Sequence, residues 1–179
     1  IQVPAGSRLE IEGFAATIRI EGVNGPVTAE TVNGTITMTG GSKEVDLQSV
    51  NGSVEVTSPA TRVHAEAVNG SVTVREASGE VEASTVNGTL TVIGGTFTRA
   101  SLETVSGRIV FEGTLDKSAT LSAESVSGSV DLTLPASVAA DLTAALTAVT
   151  PRAQVTTRTL TSQVRDSYRQ EQLLASLSA

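Results

Sequence analysis

Apolar and polar residues alternate along most of this chain in short runs, and the runs recur. Val45-Asp46-Leu47, Val63-His64-Ala65 and Val81-Glu82-Ala83 alternate with period two, as do Ser53-Val54-Glu55-Val56, Ser71-Val72-Thr73-Val74 and Thr89-Leu90-Thr91-Val92. Such alternation marks a strand with one buried face, and the β-branched residues that fill these runs suit a pleated surface. Between paired runs stands Val-Asn-Gly, at residues 32–34, 50–52, 68–70 and 86–88, an interval of 18 each time. Val105-Ser106-Gly107 follows after 19 residues and Val126-Ser127-Gly128 after 21. One period earlier Phe14-Ala15-Ala16 takes the same place, and Val23-Asn24-Gly25 falls at a half-period.

Asn-Gly supplies a bend, because Gly accepts positive φ and Asn tolerates it better than most residues. Taken alone, Asn-Gly between strands signals a tight antiparallel hairpin. Hairpins would reverse the direction of alternate units, whereas here every unit repeats with the same polarity. The chain is therefore expected to wind one coil per unit into an all-β, single-stranded parallel β-solenoid. Its coils would be spaced about 4.8 Å apart, and seven or eight would give a rod of roughly 35–40 Å.

Stacking places Ile36, Val54, Val72, Leu90 and Ile109 in one inward column, and Val27, Val45, Val63 and Val81 in another. Asn33, Asn51, Asn69 and Asn87, beside Gly34, Gly52, Gly70 and Gly88, form a corner ladder whose amides can hydrogen-bond along the rod. No coil buries its own edge, so stability is shared between neighbours.

The domain reading is a solenoid over residues 1–150, regular to about 93 and looser beyond, then a C-terminal segment over 151–179. The extra residues before Val105 and Val126 are expected to bulge out near Gly94-Gly95 and Asp116-Lys117, and Asp141–Ala144 reads as an eighth, degraded coil. Pro151 interrupts the pattern. Ser162–Ala175, without Gly or Pro, reads as a helix that caps the rod or links to a further segment, with Val164, Tyr168 and Leu177 near one face.

Composition narrows the picture. Aromatics make up 2% of the 179 residues, which fits a thin core of Val, Ile, Leu and Ala. Net charge is −7, from 12 Lys+Arg against 19 Asp+Glu, which argues against a nucleic-acid partner. There is no Cys, so redox usage does not indicate a compartment. No apolar run reaches membrane-spanning length, so membrane association would come from segments outside this chain. Ile1 in place of Met reads as the start of a processed or excised fragment.

The recurring Val-Asn-Gly-Ser/Thr-Val/Ile-x-Val, with Val-x-Ala-x-x-Val-Asn-Gly between copies, resembles the bacterial adhesin-like family of unknown function called the toastrack domain. The resemblance covers roughly residues 1–135. It implies a right-handed β-helix and export or envelope association, often beside membrane segments or envelope-stress systems. It carries over no catalytic residue and no cofactor.

Candidate chemistry is sparse. The single His, His64, faces outward between Asp46 and Glu82, where it could shuttle a proton or bind a metal but is as well explained as a solvated side chain. A second outward column carries Glu30, Gln48, Glu66, Ser84, Glu103 and Glu124; with Asp46 and Glu82 it makes an acidic strip that could offer oxygen ligands to Ca²⁺. The Gly-Gly-x-Gly-x-Asp signature of calcium β-rolls is absent at Gly40-Gly41 and Gly94-Gly95. Thr35, Thr37, Thr39, Ser53, Ser71, Thr73, Thr89 and Thr91 could order water as ice-binding surfaces do, but Glu55, Arg75, Arg108 and Asp131 interrupt them. Asn33, Asn51, Asn69 and Asn87 each open a glycosylation sequon, which the repeat generates for structural reasons. Pectin-lyase-like enzymes also use β-helices. With one Tyr, no Trp and three Phe, this chain lacks their aromatic sugar platforms. The expectation is a non-catalytic structural or adhesin-like module of a bacterial envelope or secreted surface, without cofactor or metal, presenting a rigid rod to a protein or cell-surface partner. The alternatives are a subunit that stacks end to end into a filament and an envelope-stress scaffold.

Overall fold

A computed structural model of the protein describes residues 2–134 and 154–159. The strands are β1 (Leu9–Gly13), β2 (Ile18–Glu21), β3 (Val27–Asn33), β4 (Ile36–Thr39), β5 (Glu44–Asn51), β6 (Val54–Thr57), β7 (Arg62–Asn69), β8 (Val72–Arg75), β9 (Gly79–Leu134) and β10 (Gln154–Thr159). Every pairing between them is parallel. Strands β1, β3, β5 and β7 lead to the start of β9, and the path returns through β8, β6, β4 and β2. Odd strands thus stack on odd and even on even, as a solenoid requires.

The register is the 18-residue period made physical. Val27 pairs with Val45, Val45 with Val63 and Val63 with Val81. Ile36 pairs with Val54, Val54 with Val72 and Val72 with Leu90. Both columns are buried, as are Ala29, Leu47, Ala65 and Ala83 beside the first and Met38, Val56, Val74 and Val92 beside the second. Full burial of each Val, Leu or Ile contributes about 1.5–3 kcal/mol, which a single coil could not collect without its neighbours.

Explicit strand registers account for five coils, fewer than the seven or eight counted from the sequence. Beyond them the chain keeps strand conformation to Leu134, and Gly107 and Gly128 still pack on the corner glycines before them. Residues 154–159 then pair in parallel with Ser129–Leu134, so the sheet extends past residue 150. The Asp141–Ala144 coil and the Ser162–Ala175 helix lie outside the described residues.

The corner follows the turn argument only in part. Gly34 and Gly52 do take positive φ, at 154° and 157°, whereas Gly70, Gly88, Gly107 and Gly128 lie outside that region. What they share is contact: a Cβ on Gly70 would lie 2.1 Å from the Gly52 carbonyl oxygen, and one on Gly88 would lie 2.0 Å from that of Gly70. Glycine is required because successive backbones touch at this corner. The asparagine ladder is present. Asn51 Nδ2 donates to Asn33 Oδ1, Asn69 to Asn51 and Asn87 to Asn69, each at 3.0 Å.

The insertions divide. Asp116, Lys117 and Ser118 project into solvent, as expected of a bulge. At the other, Gly94 and Gly95 turn with φ of 78° and 94°, and Phe97 enters the interior against Phe111, ring centroids 5.4 Å apart. Both rings are fully buried. The looser coils therefore enclose a wider section, which two Phe side chains fill.

Candidate functional site

The outward residues of the odd strands form a groove that runs along the rod, across the strands. In β5 the alternation carries Val45, Leu47 and Ser49 inward and Gln48 outward, but Val50 and Asn51 both face out as the chain rounds the corner. Gln48 and Val50 thus stand on opposite sides of a concave bend floored by Ser49. Repetition extends each position into a column. One wall is Glu12, Glu30, Gln48, Glu66, Ser84, Glu103 and Glu124; the other is Phe14, Val32, Val50, Val68, Val86, Val105 and Val126. The groove holds about 510 Å³ over its first coils and about 300 Å³ over the later ones. Seven rungs at about 4.8 Å per step make it about 29 Å long.

The floor is tied down. Thr31 Oγ1 donates to the Ala16 carbonyl at 3.3 Å, Ser49 Oγ to that of Gly34 at 3.1 Å, and Thr85 Oγ1 to that of Gly70 at 2.9 Å. Each hydroxyl pins a coil to the one before it. In the looser coils the equivalent hydroxyls of Thr104 and Ser125 are buried without a hydrogen-bond partner.

The apolar wall was not anticipated from the sequence. Val50, Val68, Val86, Val105 and Val126 are 38–47% exposed and Phe14 is 76% exposed. Val-Asn-Gly was read only as a corner, with no face assigned to its Val. The signal was nevertheless available, because a residue that follows inward Val45, Leu47 and Ser49 at an odd step must point out.

The predicted acidic residues fall into two adjacent columns. Glu30, Glu66, Glu103 and Glu124 line the groove, and Glu12 extends the column by one rung. Asp46 and Glu82 lie in the next column, on either side of His64. His64 joins the two: Nε2 is 3.5 Å from Glu66 Oε1 and Nδ1 is 3.5 Å from Glu82 Oε2. Gln48 Nε2 donates to Asp46 Oδ1 at 3.3 Å. Among the described residues no three His, Cys, Asp or Glu converge on a point that could hold a metal ion. Asn33, Asn51, Asn69 and Asn87 are occupied by one another at the corner, next to the Val wall.

Neither wall carries Lys or Arg. The positive side chains nearest in sequence are spent elsewhere: Arg62 sits between Glu44 and Glu80, and Arg99 also reaches Glu80. The groove therefore sets a column rich in carboxylates, with no Lys or Arg among its lining residues, against an apolar strip. No family model matches the chain, and no curated protein and no solved structure matches it either.

Proposed function

We propose that this protein is a non-catalytic binding module whose rigid coil stack presents the axial groove to a protein partner at a bacterial cell envelope or extracellular surface. The observation that carries the reading is the apolar column Phe14, Val32, Val50, Val68, Val86, Val105 and Val126, exposed apart from half-buried Val32 and set parallel to a column of carboxylates. Contiguous exposed apolar surface rimmed by polar groups marks interaction sites on proteins. The stacked scaffold supports the role, because the groove residues stand on coils hydrogen-bonded to their neighbours and little order remains to be gained on binding. The envelope setting rests on the resemblance of the repeat to adhesin-like β-helices.

The test is site-specific photo-crosslinking in cells that express the full-length protein. A photoreactive residue in place of Val68 should capture a discrete species. The same residue in place of Glu55, on the other strip of the sheet, should not. Equal capture from both positions, or none from Val68, would remove the groove as the binding surface.

A further inference from the structure

The groove has a periodicity, and that periodicity selects a ligand. We infer that its occupant is a cationic segment of a partner protein in polyproline II conformation, with Lys or Arg at every third residue. This rests on the groove being the binding surface.

The sign of the charge comes from the walls. Glu12, Glu30, Glu66, Glu103 and Glu124 face a ligand with no Lys or Arg among the lining residues. An approaching chain with basic side chains would be steered in, and an acidic one repelled. The opposite Val wall requires that a second side of the same chain be apolar.

The conformation comes from spacing. In the central part of the column Glu30, Glu66 and Glu103 occupy alternate rungs, with Gln48 and Ser84 between them, while Glu12 and Glu124 stand one rung beyond either end. Two steps of the stack put neighbouring carboxylates about 9.6 Å apart. A polyproline II helix repeats every three residues, about 9.3 Å, so three basic side chains stay in step with three carboxylates to within about 0.6 Å. An α-helix presents one face about every 10.5 Å over seven residues and drifts by about 1.8 Å across the same span. A β-strand repeats about every 6.7 Å, so it meets the outer two carboxylates to within about 0.9 Å but misses the middle one by about 2.9 Å.

Hydrogen bonding points the same way. The backbone around the groove is committed to coil-to-coil pairing, and the floor hydroxyls of Thr31, Ser49 and Thr85 are already donating to carbonyls. Strand addition needs free backbone partners, which the groove floor does not offer. A polyproline II chain makes no internal hydrogen bonds and keeps its backbone solvated, so it asks for none.

The experiment titrates the full chain by fluorescence anisotropy with four labelled peptides of twelve residues. The first repeats Lys-Val-Pro; the second has the same composition with Lys irregularly spaced; the third replaces Lys by Glu; the fourth is an amphipathic helix matched in charge to the first. The first should bind at least about ten-fold tighter than each of the others. The triple variant Glu30→Gln, Glu66→Gln, Glu103→Gln should weaken it by about ten-fold, and Val68→Ser should weaken it too. Glu55→Gln should leave it unchanged. Equal binding of the irregular peptide, or tighter binding of the helix, overturns the period-three assignment. If that binding is still lost in Val68→Ser, the groove remains the binding surface. Failure of every peptide to bind overturns the inference, and capture from Val68 then decides the groove on its own.

Discussion

At single residues, the corner glycines and asparagines stabilise the stack through different physics. Gly70 is a packing requirement: its missing side chain is the space taken by the Gly52 carbonyl, with both groups on backbone that cannot move without shifting a coil. Gly70→Ala should therefore destabilise the protein by about 3 kcal/mol, the upper range for overpacking. Gly6→Ala, where an added Cβ meets nothing within 4 Å, should be near neutral. Urea unfolding of the two variants side by side checks this, and equal midpoints would contradict the contact argument. The asparagines contribute less each, since their amide bonds are at the surface. Asn69 takes part in two of these bonds and Asn33 in one. Asn69→Ala should cost about 1 kcal/mol and Asn33→Ala about half as much. The same loss at both positions would mean that the ladder does not act bond by bond.

At the level of strands and coils, the regular part of the molecule was readable because one inward pattern repeats at a fixed interval. Val45 and Val54 declare their faces by alternation, and the 18-residue step makes each one a member of a column. What could not be read was whatever depends on the distance between backbones. The sequence offers positive φ as the reason for Gly70, while the operative cause is the Gly52 carbonyl, which would lie 2.1 Å from a Cβ at that position. The groove was half legible: Gln48 and Val50 both point out in phase on either side of Ser49, but that they face each other across a bend follows only from the corner, where Asn51 breaks the phase. The sense of the bend, concave toward Glu66 and Val68, is a property of the folded corner. The longer coils differ from expectation at one end, because an insertion can add interior as well as surface. Phe97 instead fills interior space that the 18-residue coils do not have. Removing it should leave a cavity walled by Phe111 and neighbouring coils. Phe97→Ala should cost about 3–5 kcal/mol and Val74→Ala, in a regular coil, less. Thermal unfolding that ranked Val74→Ala as the worse of the two would place the weight of the core in the regular coils.

For the whole molecule, parallel stacking makes the protein nearly one-dimensional: each coil contacts only the coils before and after it, so its energetics are a sum over neighbours. Such a stack should tolerate the loss of a unit, provided that the cut respects the period. Deleting residues 52–69 joins Asn51 to Gly70 and places Val45 directly beneath Val81, with a corner glycine still over the Gly34 carbonyl and Asn87 within reach of Asn51. Every column loses one rung and none changes identity. The shortened chain should retain its β circular dichroism and cooperative unfolding, and small-angle scattering should report a rod about 4.8 Å shorter. The groove would lose the Glu66 and Val68 rung, leaving Glu30 and Glu103 three steps apart with Gln48 and Ser84 on adjacent rungs between them. A deletion of nine residues, 52–60, keeps chain length closer to the original but stacks an even strand where an odd one belongs. It sets the Asn corner against the half-period corner that holds Ser42 and Ser58, and it should not fold. If the nine-residue deletion proved as stable as the eighteen-residue one, the repeat unit would be half as long, and the distinction between the groove side and its opposite would lose its structural basis.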